Sequence, residues 1–205
     1  MAGLTRREVM SLVGTAAVGT AVTRSVPASA ITCGSVLGSA MQQSACRWCF
    51  RGMELDEFFQ LSKDVRLPAV DLLQEGEWEV AKQYGLTCST WHGGAGTISN
   101  GLNGPSNHSE IVRSLEQSLP KAANANVPNV IAFFGNRRGM SDAEGIDNCT
   151  NVLKRVAPTA ESEDVTIVVE LLNSRVNHQD YMGDHTAFGV EVVKRVDSPR
   201  AKASL

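Results

Sequence analysis

Two near-continuous apolar runs constrain this chain more than any other feature. They are Asn129-Val130-Ile131-Ala132-Phe133-Phe134 and the stretch from Val165 to Leu172, broken only by Glu170 near its end. A strand with one wet face alternates polar and apolar residues. Runs without alternation suit strands covered on both faces, as in parallel sheets flanked by helices. The rest of the chain keeps that rhythm. Ala45 to Phe50, Pro68 to Leu73 and Leu86 to Trp91 read as three earlier strands, and Arg200 to Leu205 as the start of a sixth. Between them lie stretches with apolar residues at helical spacing: Leu55 to Val65, Glu75 to Tyr84, His108 to Asn126, Ser141 to about Glu161, and a helix within Tyr181 to Val196. Strand followed by helix, repeated, predicts an α/β fold with a parallel sheet.

Local signals sharpen this reading. Gly85 follows Tyr84 as a helix-ending glycine. Ser141 with Glu144 three residues on forms a capping-box pattern. Pro120 should kink or split the helix that contains it. The Gly-, Asn- and Ser-rich stretch His92 to Asn107 reads as a long functional loop. No G-x-G-x-x-G follows the first strand, so a dinucleotide-binding fold is disfavoured. A (β/α) barrel of the TIM type is the better expectation. Such a barrel needs about 250 residues, and this chain has 205. It is therefore expected to be incomplete, with about five to six βα units over residues 44–205.

The N-terminus reads as an export signal. Arg6 and Arg7 precede a small, apolar, uncharged stretch from Ser11 to Val22, and Ala28-Ser29-Ala30 offers an A-x-A cleavage site. The arginine pair is of the twin-arginine kind. Residues 1–30 are thus expected to be a signal peptide, residues 31–43 a linker, and the mature protein periplasmic or exported. Removing three arginines and one glutamate with the signal takes the net charge from -3 to -5. No basic patch points to nucleic acid, and no run of roughly 20 apolar residues points to a membrane span.

Five cysteines are present, and Cys46-Arg47-Trp48-Cys49 is a C-x-x-C. A thioredoxin-type motif would sit between a strand and the start of a helix. Here Trp48 and Phe50 place the motif inside an expected strand, so structural cysteines are the expectation. Zinc would need a second C-x-x-C or a histidine pair.

Glu170 carries the strongest chemical signal. Its neighbours Ile167, Val168, Val169, Leu171 and Leu172 are all apolar, and burying an unpaired carboxylate costs several kcal/mol, about the scale of a whole domain's stability. Such a residue is either catalytic, bound to a metal, or paired with a cation such as Arg137 or Arg138. Other polar residues follow expected strands: His92 after the third, Asn136, Arg137 and Arg138 after the fourth, and Asn173, His178 and His185 after the fifth. The C-terminal ends of parallel barrel strands are where ligands bind. Arginine beside glycine suits a carboxylate or phosphate.

Four segments carry a resemblance. Cys46-Arg47-Trp48-Cys49-Phe50, Gly93-Gly94-Ala95-Gly96-Thr97, Phe133 to Gly139, and Val169-Glu170-Leu171-Leu172-Asn173-Ser174 resemble the hydroxypyruvate isomerase family, one of the xylose isomerase-like TIM barrels. The likeness covers about residues 41 to 200. It implies interconversion of hydroxypyruvate and tartronate semialdehyde, or of related hydroxy-aldehydes and ketones. It also implies a divalent metal, Mg²⁺ or Mn²⁺, and makes Glu170 a catalytic residue and metal ligand. His92, Arg137, Arg138, Asn173, His178 and His185 become candidates for holding a small hydroxy-carbonyl or sugar substrate. The family draws its further ligands and a second glutamate from later strands, which are absent here. The expectation is therefore a poor catalyst, whose open sheet a homo-oligomer could cover. Three rivals remain: a sugar epimerase on the same scaffold, a non-catalytic carbohydrate-binding barrel, and an exported thiol protein using Cys46 and Cys49.

Overall fold

A computed structural model describes residues 42–204. The expected signal peptide and most of the expected linker lie outside these residues. Six parallel strands form one sheet in sequence order: β1 (Ser44–Cys46), β2 (Ala69–Asp71), β3 (Thr87–Ala95), β4 (Asn129–Phe133), β5 (Thr166–Glu170) and β6 (Ala201–Ser204). Helices α1 (Leu55–Asp64), α2 (Trp78–Gln83), α3 (His108–Ala125), α4 (Asp142–Ser162) and α5 (Thr186–Val196) make the crossovers. Sequential parallel order with a helix in each connection is the layout of a (β/α) barrel wall. Among the described residues no helix is long and apolar enough to cross a membrane.

Burial follows the helical period. The sheet-facing stripe of α3 is Ile111, Leu115, Ser118, Leu119 and Ala122, and that of α4 is Ile146, Cys149, Val152, Leu153, Val156 and Ala160. Between them β4 and β5 bury Val130, Ala132, Ile167 and Val169 completely. β4 also buries Ile131 and Phe133 on its other face, whereas β5 alternates, with Thr166, Val168 and Glu170 only part-buried, so double cover holds for β4 and not for β5. Pro120 neither splits α3 nor ends it. The carbonyl it orphans belongs to Glu116, which is exposed, so water can satisfy it. Pro158 in α4 orphans the carbonyl of exposed Lys154 in the same way.

Ser141 caps α4 as expected, its Oγ accepting the Glu144 N–H at 3.3 Å. The first and third strands depart from expectation. β1 stops at Cys46, and Arg47–Phe50 form a 3₁₀ turn. The C-x-x-C therefore lies between a strand and a helical turn, not within a strand. Aromatic residues made this segment look extended, but Arg47 folds it back. Its guanidinium donates to the carbonyls of Phe50 and Met53 and sits over the Phe58 ring.

β3 is longer than expected, because Gly93 and Gly94 adopt φ of +32° and +78° and let it bulge and continue to Ala95. Two β3 residues more than on β4 lie between the paired positions Trp91–Val130 and Ala95–Ala132. A Cβ on Gly93 would meet Val130 Cγ1 at 2.4 Å. His92, expected in a loop, sits instead at this bulge within the strand.

Candidate functional site

The C-terminal ends of the strands open onto a cleft of about 1130 Å³, slightly above the usual range for small-molecule sites. Glu170 ends β5, and His92 lies on β3, one strand removed across β4; both line the cleft. Phe133 of β4 is the register partner of Glu170, and the His92 ring packs against Phe133 at 5.5 Å between centroids. His178, Asn136, Asp180 and Arg51 also line the cleft. Trp48, Ile98 and Val176 form an exposed apolar rim.

Two titrating groups are displaced by burial. Glu170 is half-buried, and this pushes its carboxyl above the ordinary glutamate value; the nearby His178 pulls the other way and loses. Burial also lowers His92, which keeps its imidazole neutral and able to donate one N–H. Neither a hydrogen bond nor an ion pair reaches the Glu170 carboxylate from the described residues.

The backbone of Glu170 is fixed by a different contact. Tyr181 is buried, and its Oη accepts the Phe134 N–H at 2.8 Å while donating to the Glu170 carbonyl at 2.8 Å. Burial pushes this phenol far above its ordinary value, so it keeps the proton it donates. One hydroxyl thus joins the ends of β4 and β5. Tyr181→Phe would orphan both backbone groups. We expect a loss of about 2 kcal/mol in unfolding free energy, as for buried groups stripped of a partner, measured by denaturant titration.

The loop after β4 is clamped on two sides. Asn103 Nδ2 donates to the Asn136 carbonyl at 2.7 Å, Asn136 N–H donates to Ser99, and Met182 N–H donates to the Gly135 carbonyl. This clamp absorbs two of the expected substrate-binding residues. Arg137 pairs with Asp142 and donates to Met140. Arg138, at φ +48°, donates to the Ser99 carbonyl at 3.0 Å and to Asn100 Oδ1 at 2.7 Å. Neither arginine lines the cleft, and neither pairs with Glu170.

Asn173 and His185 also lie elsewhere, in a shallower depression with Ser174, Arg175 and Asp184. The Asn173 side chain accepts the Arg175 N–H in a local turn, and His185 Nδ1 bonds Asp184. Of the candidates, the structure brings together Glu170, His92 and His178. Sequence reasoning missed Arg51 and Trp48. Both follow β1, as the other site residues follow their strands; the expected strand, drawn to Phe50, enclosed Trp48, and Arg51 just beyond it carried no further signal.

The metal implied by the resemblance can be tested against the donors present. Glu170, Asp180, His92 and His178 share the cleft. Yet no three Asp, Glu, His or Cys side chains among the described residues are grouped closely enough to hold a metal ion. Magnesium and manganese require several oxygen ligands. These residues do not fit such a centre by themselves, and no chemical step is assigned to one.

A parallel sheet in sequence order, with polar groups collected at its C-terminal end, defines a TIM-barrel-type protein. The xylose isomerase-like TIM barrel family matches residues 49–205, and the chain belongs to that family. Comparison with functionally curated proteins gives no match. Similar solved structures include an AP endonuclease, family 2, from Brucella melitensis, at 20% identity and TM-score 0.66, covering 80% of this chain and 68% of that one. D-psicose 3-epimerase from Clostridium cellulolyticum H10 is similar at 14% identity and TM-score 0.62, covering 80% and 62%. The IOLI protein, solved with a bound zinc atom, is similar at 13% identity and TM-score 0.64, covering 78% and 61%. The chain thus spans about three fifths to two thirds of these proteins. Their names cover different chemistries, so the shared fold does not select one.

Proposed function

We propose that the chain is an isomerase of small hydroxy-carbonyl compounds, with hydroxypyruvate and tartronate semialdehyde as the interconverted pair, exported by the twin-arginine route. The observation that carries this reading is the half-buried Glu170 carboxylate, which receives no hydrogen bond from the described residues and lines a cleft large enough for substrate. A carboxylate whose pKa is raised is a stronger base once ionised, which suits proton abstraction next to a carbonyl.

In this reading Glu170 takes a proton from C3 of hydroxypyruvate. Electrons move toward the carbonyl at C2, a C2=C3 double bond forms, and the C2 oxygen takes the negative charge of the resulting enediolate. Neutral His92 donates its N–H to that oxygen, since a donor held in a partly buried site stabilises developing charge. Return of the proton to C2, with transfer of the C3 hydroxyl proton to the C2 oxygen, gives the aldehyde at C3 and a hydroxyl at C2. No atoms are gained or lost.

Among the described residues Arg51 is the one arginine or lysine in the cleft lining, and it suits the substrate's carboxylate as a planar fork of donors. We expect Arg51→Ala to raise KM for hydroxypyruvate about tenfold with kcat little changed, because an exposed charged contact contributes uniform binding of about 1 kcal/mol. KM for a neutral triose should not move. Steady-state kinetics on both substrates checks this.

Epimerisation of a ketose is the second reading, favoured by the likeness to D-psicose 3-epimerase. The same base serves both reactions. Turnover of hydroxypyruvate and of D-psicose, compared side by side, separates them.

A further inference from the structure

The C-x-x-C at the end of β1 takes no part in the proposed chemistry, yet it sits at the rim of the cleft. Cys46 is the last residue of β1, and Cys49 lies in the 3₁₀ turn that follows. Cys46 immediately precedes the turn in extended conformation, and the helical residues between, Arg47 and Trp48, set the two Cα atoms about 6 Å apart at a rise of about 2 Å per residue. That separation falls within the range a disulfide spans. The two thiols are close enough to interact directly. Both are free, with Cys49 exposed and Cys46 part-buried. The turn that carries them is rigid, because Arg47 between them is tied to Phe50, Met53 and Phe58.

We propose that Cys46 and Cys49 form a reversible dithiol–disulfide site on the cleft rim, oxidised by exchange with a small disulfide of the glutathione type. The geometry sets the order of events. Exposed Cys49, as its thiolate, attacks one sulfur of the small disulfide and expels a thiolate, leaving a mixed disulfide. Cys46 then loses its proton and attacks Cys49 Sγ, expelling the second thiolate. Two protein thiols are oxidised, one small disulfide is reduced to two thiols, and both protons end on the products or in solvent. Burial is the largest of the effects that push the Cys46 thiol up to about 11, so it stays protonated until the mixed disulfide is beside it. Entry at Cys49 follows.

Cys88 and Cys149 are buried and stay outside this exchange. The finished bridge closes a small ring around Arg47 and Trp48. It holds in place the rim that carries Trp48 and, two residues beyond Cys49, Arg51.

The test uses the full chain, fully reduced and then incubated with oxidised glutathione, followed by intact mass and peptide mapping. The expected product has lost two hydrogens, carries no glutathione, and maps to a Cys46–Cys49 bridge. Cys46→Ser should instead accumulate one glutathione on Cys49, and Cys49→Ser should leave Cys46 unmodified. A lasting glutathione adduct on Cys49 of the parent chain would overturn the proposal. So would a bridge from either cysteine to Cys33, or no reaction at all.

Discussion

Glu170→Gln is expected to lower hydroxypyruvate isomerisation by about 10²–10⁴-fold, the range for loss of a positioned general base. Glutamine has the shape of glutamate but cannot take a proton at neutral pH. The fold should survive, since the Glu170 carboxylate receives no hydrogen bond from the described residues and only its backbone is held by Tyr181. Linkage makes the stability change testable too. Glu170 holds its proton more tightly in the folded chain than at its ordinary value of 4.5. The stability it contributes is fully present below that value and is lost as pH rises through the folded pKa. The glutamine variant should therefore match or exceed the parent in stability at neutral pH, and the difference should shrink toward pH 4.5. Activity needs the opposite protonation state. Turnover of the parent should rise with pH along a limb whose midpoint lies above 4.5. Thermal melts and pH–rate profiles of both proteins check these signs. A stable variant with parental turnover removes Glu170 from the chemistry.

Gly101→Ala is expected to destabilise the fold by about 3 kcal/mol or more, at the upper end of the cost of overpacking. A Cβ at this position would lie 2.2 Å from the Phe133 carbonyl oxygen, 2.5 Å from the Gly135 nitrogen and 2.6 Å from the Phe134 carbonyl carbon. All three are backbone atoms at the end of β4, and no rotamer change can move them. The segment after Gly101 runs along this strand end, with Leu102 N–H donating to Phe133 at 2.9 Å and Asn103 N–H to Phe134 at 2.8 Å. Relieving the clash means giving up those bonds, and with them the clamp that holds Asn136 at the cleft. Gly52 is the control: its added Cβ would meet nothing within 4 Å. Gly52→Ala should leave the denaturation midpoint nearly unchanged, while Gly101→Ala lowers it with the same m-value.

Different physical signals decided which parts of the molecule could be read from its residues. β4 was legible because both of its faces are covered, and β5 because it stays apolar up to Glu170 even though the face that carries Val168 and Glu170 is only part-buried. The helices were legible from their buried stripes. β1 was overdrawn because Trp48 and Phe50 favour strands, while the contacts that bend the turn, Arg47 to Met53 and Phe58, appear only in space. β3 was underdrawn because glycine reads as loop, although at Gly93 it permits the close approach of Val130 and Ser118.

The site divides in the same way. Glu170 stood out as a charge set in an apolar strand. Arg137 and Arg138 looked like ligand-binding residues because their partners, Asp142 for one and the Ser99–Asn100 pair for the other, cannot be matched to them by sequence distance. Asn173 lies outside the cleft for a local reason, since its side chain closes its own turn onto Arg175.

The most direct test of the central claim follows the first chemical step alone. Hydroxypyruvate is incubated with the full chain in deuterated buffer, and proton NMR records loss of signal at C3. If Glu170 removes that proton, the parent chain exchanges it well above the uncatalysed rate, and Glu170→Gln, folded by the same melt, returns the rate to background. Exchange that is equal in the two proteins, or absent from both, contradicts Glu170 as the base.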